Sequence, residues 1–268
     1  MNTIFIAVFS LTTIGIICAA VLVVSSKLMY VKIDERVALL TDSLPGVNCG
    51  ACGYPGCSGY AVAIANDDAK PNLCSPGGAD TLKKISAILG VEAGTIEKKI
   101  AVIHCRGDLK AQQKKHEYRG IKTCEAAKRL YAGEGACAFG CMGYGDCKLV
   151  CPTHAVCLEN GLATINTSLC TGCGLCVKVC PKNLISLEKA DIKVAVLCTS
   201  IEKGAVVRKK CSNGCIGCSK CVRECPDAAI IMENNLAKID YAKCTNCGHC
   251  AEICVTGSIR KHSTGATC

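Results

Sequence analysis

CIGCSKCVRECP, residues 215–226, and CTNCGHCAEIC, residues 244–254, decide how this chain folds. In each, three cysteines recur at every third position: Cys215, Cys218 and Cys221 in one, Cys244, Cys247 and Cys250 in the other. A fourth follows closely, Cys225 (before Pro226) and Cys254. Three closely spaced thiolates on a loop can take three corners of one cubane iron–sulfur cluster, and the chain then turns to deliver the fourth thiolate to the neighbouring cluster. The spacing predicts two [4Fe–4S] clusters, one on Cys215, Cys218, Cys221 and Cys254 and one on Cys225, Cys244, Cys247 and Cys250. Zinc is the alternative. A zinc site takes four ligands, commonly two Cys-x2-Cys pairs, which would leave a thiol idle in each triplet and would not explain Cys-Pro.

The runs recur 74 residues upstream: CAFGCMGYGDCKLVCP (137–152) lies over 211–226, SLCTGCGLCVKVC (168–180) over 242–254, and Cys124 over Cys198. Two copies of a bacterial two-cluster ferredoxin module are the simplest account. In the first copy one quartet is Cys151, Cys170, Cys173 and Cys176. The other departs from the pattern, because Tyr144 stands where the second copy has Cys218. The available triplet is Cys137, Cys141 and Cys147, completed by Cys180, with Cys137 in place of the missing thiol and its counterpart Cys211 left over. Between the runs of each copy lies a short apolar pattern with a turn, AVCLENGLATI (155–165) and AIIMENNLAKI (229–239), and Asn160-Gly161 is a strong hairpin signal. The predicted class is α+β, each module a hairpin with two short helices. Cys157, which aligns with Ile231, reads as a small buried core residue.

Two regions precede the modules. From Thr3 to Ser26 there is no charged residue, a 24-residue stretch long enough to cross a hydrocarbon core as one helix. It lacks the basic start and short apolar centre of a cleaved signal. Lys27, Lys32 and Arg36 follow it, which predicts a single pass in the cell (inner) membrane with the soluble part on the cytoplasmic side. Next come Cys49, Cys52, Cys57 and Cys74 among closely spaced glycines that let backbone amides approach sulfur. They predict a fifth [4Fe–4S] cluster, with a zinc knuckle on the same thiolates as the alternative. The expected organisation is a membrane anchor (1–30), a small 4Fe–4S domain (31–104), a basic linker (105–132) and ferredoxin modules at 133–190 and 191–268.

The chain has 268 residues with 27 Cys, no Trp and 3 Phe, too few aromatics for one large conventional core. Five clusters take 20 cysteines; Cys18, Cys105, Cys124, Cys157, Cys198, Cys211 and Cys268 remain. Cys18 and Cys268 read as incidental. Cys105, Cys124, Cys198 and Cys211 could hold another centre or simply pack, and the place of three of them in the repeat favours inherited scaffold. The formal charge is +9, but five oxidised clusters with their thiolates add roughly −10, so the basic excess is largely countercharge. Nucleic acid is therefore not an expected partner, and no stacking aromatic array is present. The most basic stretch, KAQQKKHEYRGIK (110–122), reads as a solvated linker helix or as a docking patch for an acidic ferredoxin or a neighbouring subunit. No Gly-x-Gly-x-x-Gly opens a helix, and neither a P-loop nor His-Glu-x-x-His is present, so no complete active site is expected in this chain.

The anchor, then GVNCGACGYPGCSGYA with a distal Cys, then ferredoxin runs, resembles the B subunit of the Rnf electron-transport complexes over nearly the whole chain. The resemblance implies an electron-relay subunit of a redox-driven translocase that couples electron transfer between reduced ferredoxin and NAD to Na⁺ or H⁺ movement. It implies soluble reduced ferredoxin as donor, and other Rnf-type membrane and flavin-bearing subunits as partners. A membrane-anchored polyferredoxin serving a dehydrogenase that feeds quinone is the alternative.

Overall fold

The computed structural model describes residues 2–28, 34–92 and 94–261, a mixture of short helices and two-stranded ribbons. Lys32 and Cys268 lie outside the described residues. α1 (Asn2–Leu28) has no polar face. Its span Ile4–Lys27 is 24 residues, about 36 Å at the helical rise, and none of it is buried against the rest of the chain. A helix that is apolar all round and uncovered by protein is long enough to cross a membrane.

α2 (Glu35–Ser43) starts where the Asp34 carboxylate accepts the Arg36 N–H at 2.9 Å. With α3 (Gly56–Ala65) and α4 (Gly78–Leu89) it closes a small core of Leu40, Tyr60, Ile64 and Ile85. α4 stops at Gly90, whose φ of 69° supplies the left-handed cap.

β1 (Lys99–Ile103) opens the next unit. It is followed by α5 (Cys124–Arg129), α6 (Asp146–Leu149), a hairpin of β2 (Val156–Glu159) and β3 (Leu162–Ile165), α7 (Leu175–Val179) and β4 (Ile185–Lys189). β4 returns antiparallel to β1, with Lys99 opposite Lys189 and Ile103 opposite Ile185. β1, inside the 31–104 stretch of the sequence reading, therefore shares a ribbon with the first ferredoxin module. The second module repeats the plan with β5 (Val194–Val196), α8 (Gly204–Lys210), α9 (Lys220–Arg223), the hairpin β6 (Ile230–Glu233) and β7 (Leu236–Ile239), α10 (His249–Glu252) and β8 (Ile259–Lys261). β5 pairs with β8, Val196 opposite Ile259. Both hairpins turn on two left-handed residues, Asn160-Gly161 in one and Asn234-Asn235 in the other, as a two-residue turn between twisted strands requires. Cys157 is buried in β2, its Cα opposite that of Thr164.

β1 and β5 each end two residues before a cysteine, Cys105 and Cys198. These two are equivalent in the fold although they lie 93 rather than 74 residues apart, because the first module carries extra chain between β1 and α6. That insertion contains the basic stretch 110–122, which forms no helix. Gln112 bridges to Cys211 and Lys114 to Gly135, so the insertion is tied to both modules while most of 110–122 stays exposed.

Candidate metal centres

Five sets of four thiols can be built from the elements. In the unit nearest α1, Asn48 (φ 51°) accepts the Cys57 N–H at 2.8 Å and so fixes the first turn of α3 beside Cys49 and Cys52. The fourth thiol arrives through Tyr60. Its buried ring carries a hydroxyl that donates to the Lys70 carbonyl at 2.7 Å and accepts the Leu73 N–H at 3.0 Å, which holds the chain leading to Cys74. Burial pushes the Tyr60 hydroxyl up to about 12. Burial also raises the Cys74 thiol, and the nearby Cys57, Cys49 and Cys52 add to it. Cys49, Cys52, Cys57 and Cys74 thus share one neighbourhood.

In the first module, Cys151, Cys170, Cys173 and Cys176 line one cavity. β1 reaches it: the Ala101 N–H points at Cys170 Sγ from 3.4 Å, and the Ala155 N–H at Cys151 Sγ from 3.3 Å. A second cavity holds Cys141, Cys147 and Cys180. Its fourth thiol is Cys124, and Cys137 is not there. Here the structure departs from the sequence reading, and the cause is local. Thr123 caps α5 through its hydroxyl, and Asp146, next to Cys147, accepts the Cys124 N–H at 2.9 Å and the Glu125 N–H at 3.1 Å. The inserted helix is thereby fastened by its first residue to the edge of the cavity. Burial and then the charges of Cys141, Cys124 and Cys180 push Cys147 up to about 12. Tyr144 instead points to Glu134 Oε1, 3.3 Å away, with its ring 5.8 Å from that of Tyr118.

In the second module, Cys221 is pushed up to about 11 by burial and then by Cys215, Cys218 and Cys254. Cys250 is pushed up to about 11 by burial and then by Cys244, Cys247 and Cys225. Cys254 thus acts on Cys221, and Cys225 on Cys250. Burial would raise Cys254 as well, but the Ser258 hydroxyl 3.3 Å away and the Ile259 N–H turn the net shift downward.

The first three sets adjoin one another. Cys49 lies among the charges acting on Cys173, and Lys178 Nζ donates to the Cys49 carbonyl at 3.0 Å, which joins the Cys49 set to the first module. Cys176 acts in turn on Cys147.

Cys137 lies elsewhere, in a cavity with Cys105, Cys198 and Cys211. Burial raises all four thiols, Cys105 to about 12, and each also feels another member of the group or a thiol beside it.

The donor chemistry fits iron–sulfur clusters. Among the described residues no three of His, Cys, Asp or Glu converge tightly enough to hold a single ion. The thiols instead ring cavities and receive backbone N–H groups, the surrounding pattern that tunes a cluster. Tyr60, Asp146 and Ser258 position these thiols, and spacing carries no signal for them.

Comparisons with known proteins agree. Residues 44–76 match a family described as "Putative Fe-S cluster", 163–186 a 4Fe-4S binding domain and 208–255 a 4Fe-4S dicluster domain. The chain is 43% identical, over 99% of its length and 95% of the relative's, to the B subunit of the proton-translocating ferredoxin:NAD(+) oxidoreductase complex of Clostridium ljungdahlii. The chain belongs to the family of Rnf B subunits. It is also 39% identical to the B subunit of the Na(+)-translocating complex of Acetobacterium woodii, over 95% of this chain and 77% of that one. To the B subunit of the ion-translocating oxidoreductase complex of Methanosarcina acetivorans it is 37% identical, over 91% and 93%. In this Rnf B subunit, Cys105, Cys124, Cys137 and Cys198 lie outside the three matched segments.

Proposed function

We propose that this chain is the electron-relay subunit of a membrane complex that moves electrons between reduced ferredoxin and NAD and couples them to Na⁺ or H⁺ translocation. The proposed cluster ligands are Cys49, Cys52, Cys57 and Cys74; Cys124, Cys141, Cys147 and Cys180; Cys151, Cys170, Cys173 and Cys176; Cys215, Cys218, Cys221 and Cys254; and Cys225, Cys244, Cys247 and Cys250. Bound there, [4Fe–4S] clusters supply one-electron transfer at low potential. The observation that carries the reading is contiguity: Lys178, two residues after Cys176, donates to the Cys49 carbonyl at 3.0 Å, and Cys147 is buried in one core with Cys170 and Cys176.

The chain's own groups do the rest. Buried Leu184, Ile185, Ile230 and Ile259 keep water from the sulfurs. The N–H groups of Ala101, Ala155 and Asn246 point at Cys170, Cys151 and Cys244 and favour the charged thiolate. Lysines and arginines offset the negative charge. α1 fastens the relay to the membrane, with Lys27 and Arg36 on the cytoplasmic side.

The test uses the full chain purified without oxygen. Reduced ferredoxin should bleach its visible absorbance and raise the paramagnetic signals of reduced cubanes, and NADH alone should not. A colourless preparation, or one that carries zinc and no acid-labile sulfide, would overturn the reading.

A further inference from the structure

The cavity that holds Cys137 is built like the others. Its four thiols come in equivalent pairs, one member of each from each module: Cys105 and Cys198 follow β1 and β5, and Cys137 and Cys211 precede the two cysteine runs at matching positions of the repeat. The cavity matches that of Cys124, Cys141, Cys147 and Cys180 in size, about 20 Å³ in each case.

Every one of the four sulfurs has the N–H two residues further on directed at it: Gly107 at Cys105, Phe139 at Cys137, Ser200 at Cys198 and Asn213 at Cys211. The same N–H-to-sulfur relation is found in the sets already described, Gly143 at Cys141, Leu175 at Cys173 and Asn246 at Cys244. Cys105 and Cys198 each accept one amide more, from Cys141 and Cys215, both at 3.3 Å. Such donors favour thiolate sulfur. The surroundings are arranged and half-polar: Asn213 Nδ2 donates to the Arg106 carbonyl at 2.9 Å, Arg106 to the Gly257 carbonyl at 2.8 Å, and Lys210 pairs with Glu202 at 2.5 Å.

From this we infer that Cys105, Cys137, Cys198 and Cys211 hold a sixth [4Fe–4S] cluster, one that the two ferredoxin modules build jointly. The inference rests on the relay reading above. A mononuclear zinc site would draw the sulfurs onto a point, and they ring a cavity instead. The position gives the site a purpose. The Cys141 amide connects it to the Cys124 quartet of the first module, and the Cys215 amide to the first quartet of the second. It fills the gap between two halves of the relay. It also leaves only Cys18, Cys157 and Cys268 of the 27 cysteines outside a quartet.

Iron and acid-labile sulfide per chain decide the matter, measured on the full chain purified anaerobically. Six clusters give about 24 of each, and five give about 20. The double variant Cys198→Ser/Cys211→Ser should lose about one sixth of the iron, the sulfide and the integrated spin of the reduced protein. Cys105→Ser/Cys137→Ser, which draws on the other module, should give the same loss. Wild-type protein with about 20 iron, or with one zinc that the variants lack, would overturn the sixth cluster and leave the five-cluster relay standing. Wild-type protein without iron or sulfide would sink both. Should the variants lose all iron through misfolding, the wild-type count alone supports or overturns the proposal.

Discussion

Tyr144 occupies the place where the second module has Cys218, and a thiol from outside the run, Cys124, lines the cavity of Cys141, Cys147 and Cys180 instead. The exchange is made by one carboxylate: Asp146 binds the N–H groups of Cys124 and Glu125 while its neighbour Cys147 faces the same cavity. The variant Cys124→Ser should therefore turn that cluster into a three-iron form, visible as a paramagnetic signal in the oxidised protein. Cys137→Ser should leave that quartet's own signal in place. The opposite pattern would return Cys137 to this quartet. The runs of Cys-x2-Cys-x2-Cys were legible because a triplet is local, and neighbours in sequence must be neighbours at the cluster. Cys124 was not, since its distance from Cys141 and Cys147 along the chain carries no period. The match at an offset of 74 placed Cys124 over Cys198, while the strands place Cys105 there.

At the scale of elements, β1 does two things at once. It pairs with β4, and its Ala101 N–H borders the cavity of Cys151, Cys170, Cys173 and Cys176. Gly172, between Cys170 and Cys173, lies so close that a Cβ there would strike the Lys99 carbonyl, and its φ of 68° already belongs to the left-handed region. Gly172→Ala should cost about 1–3 kcal/mol, from strain and from pushing the strand away. The expected readings are a lower unfolding midpoint and faster loss of iron to a chelator. A variant as stable as wild type, with unchanged iron release, would show that β1 yields without cost. The hairpins were readable from Asn160-Gly161 and from alternating apolar residues. The β1–β4 and β5–β8 ribbons were not, because each joins strands separated by an entire pair of cysteine runs, and no short-range pattern marks such partners.

Across the whole molecule, the cysteines proposed as ligands also serve as core. Cys147, Cys170 and Cys176 are buried with Ile100, Val156 and Leu184 in one module, and Cys215, Cys221 and Cys250 with Val194, Ile230 and Ile259 in the other. With only 3 Phe and no Trp in the chain, little else could fill those centres. Short helices such as α6, α9 and α10, at four residues each, have no stability of their own and persist only while both ends are held. Binding a cluster and folding should accordingly be one event in the modules. α1 owes nothing to iron, since no described residue of it is covered by the rest of the chain. Stripping the metal with a strong chelator under reducing conditions, in detergent, should abolish the strand and short-helix signal of 99–261 in circular dichroism while the helical signal of α1 survives. The loss should be cooperative within each module, because one quartet shares its fourth thiol's run with the next. Apo-protein that kept its ribbons, seen as slow amide exchange at Val102, Ala195 and Ile259, would mean that the apolar residues alone hold the modules together.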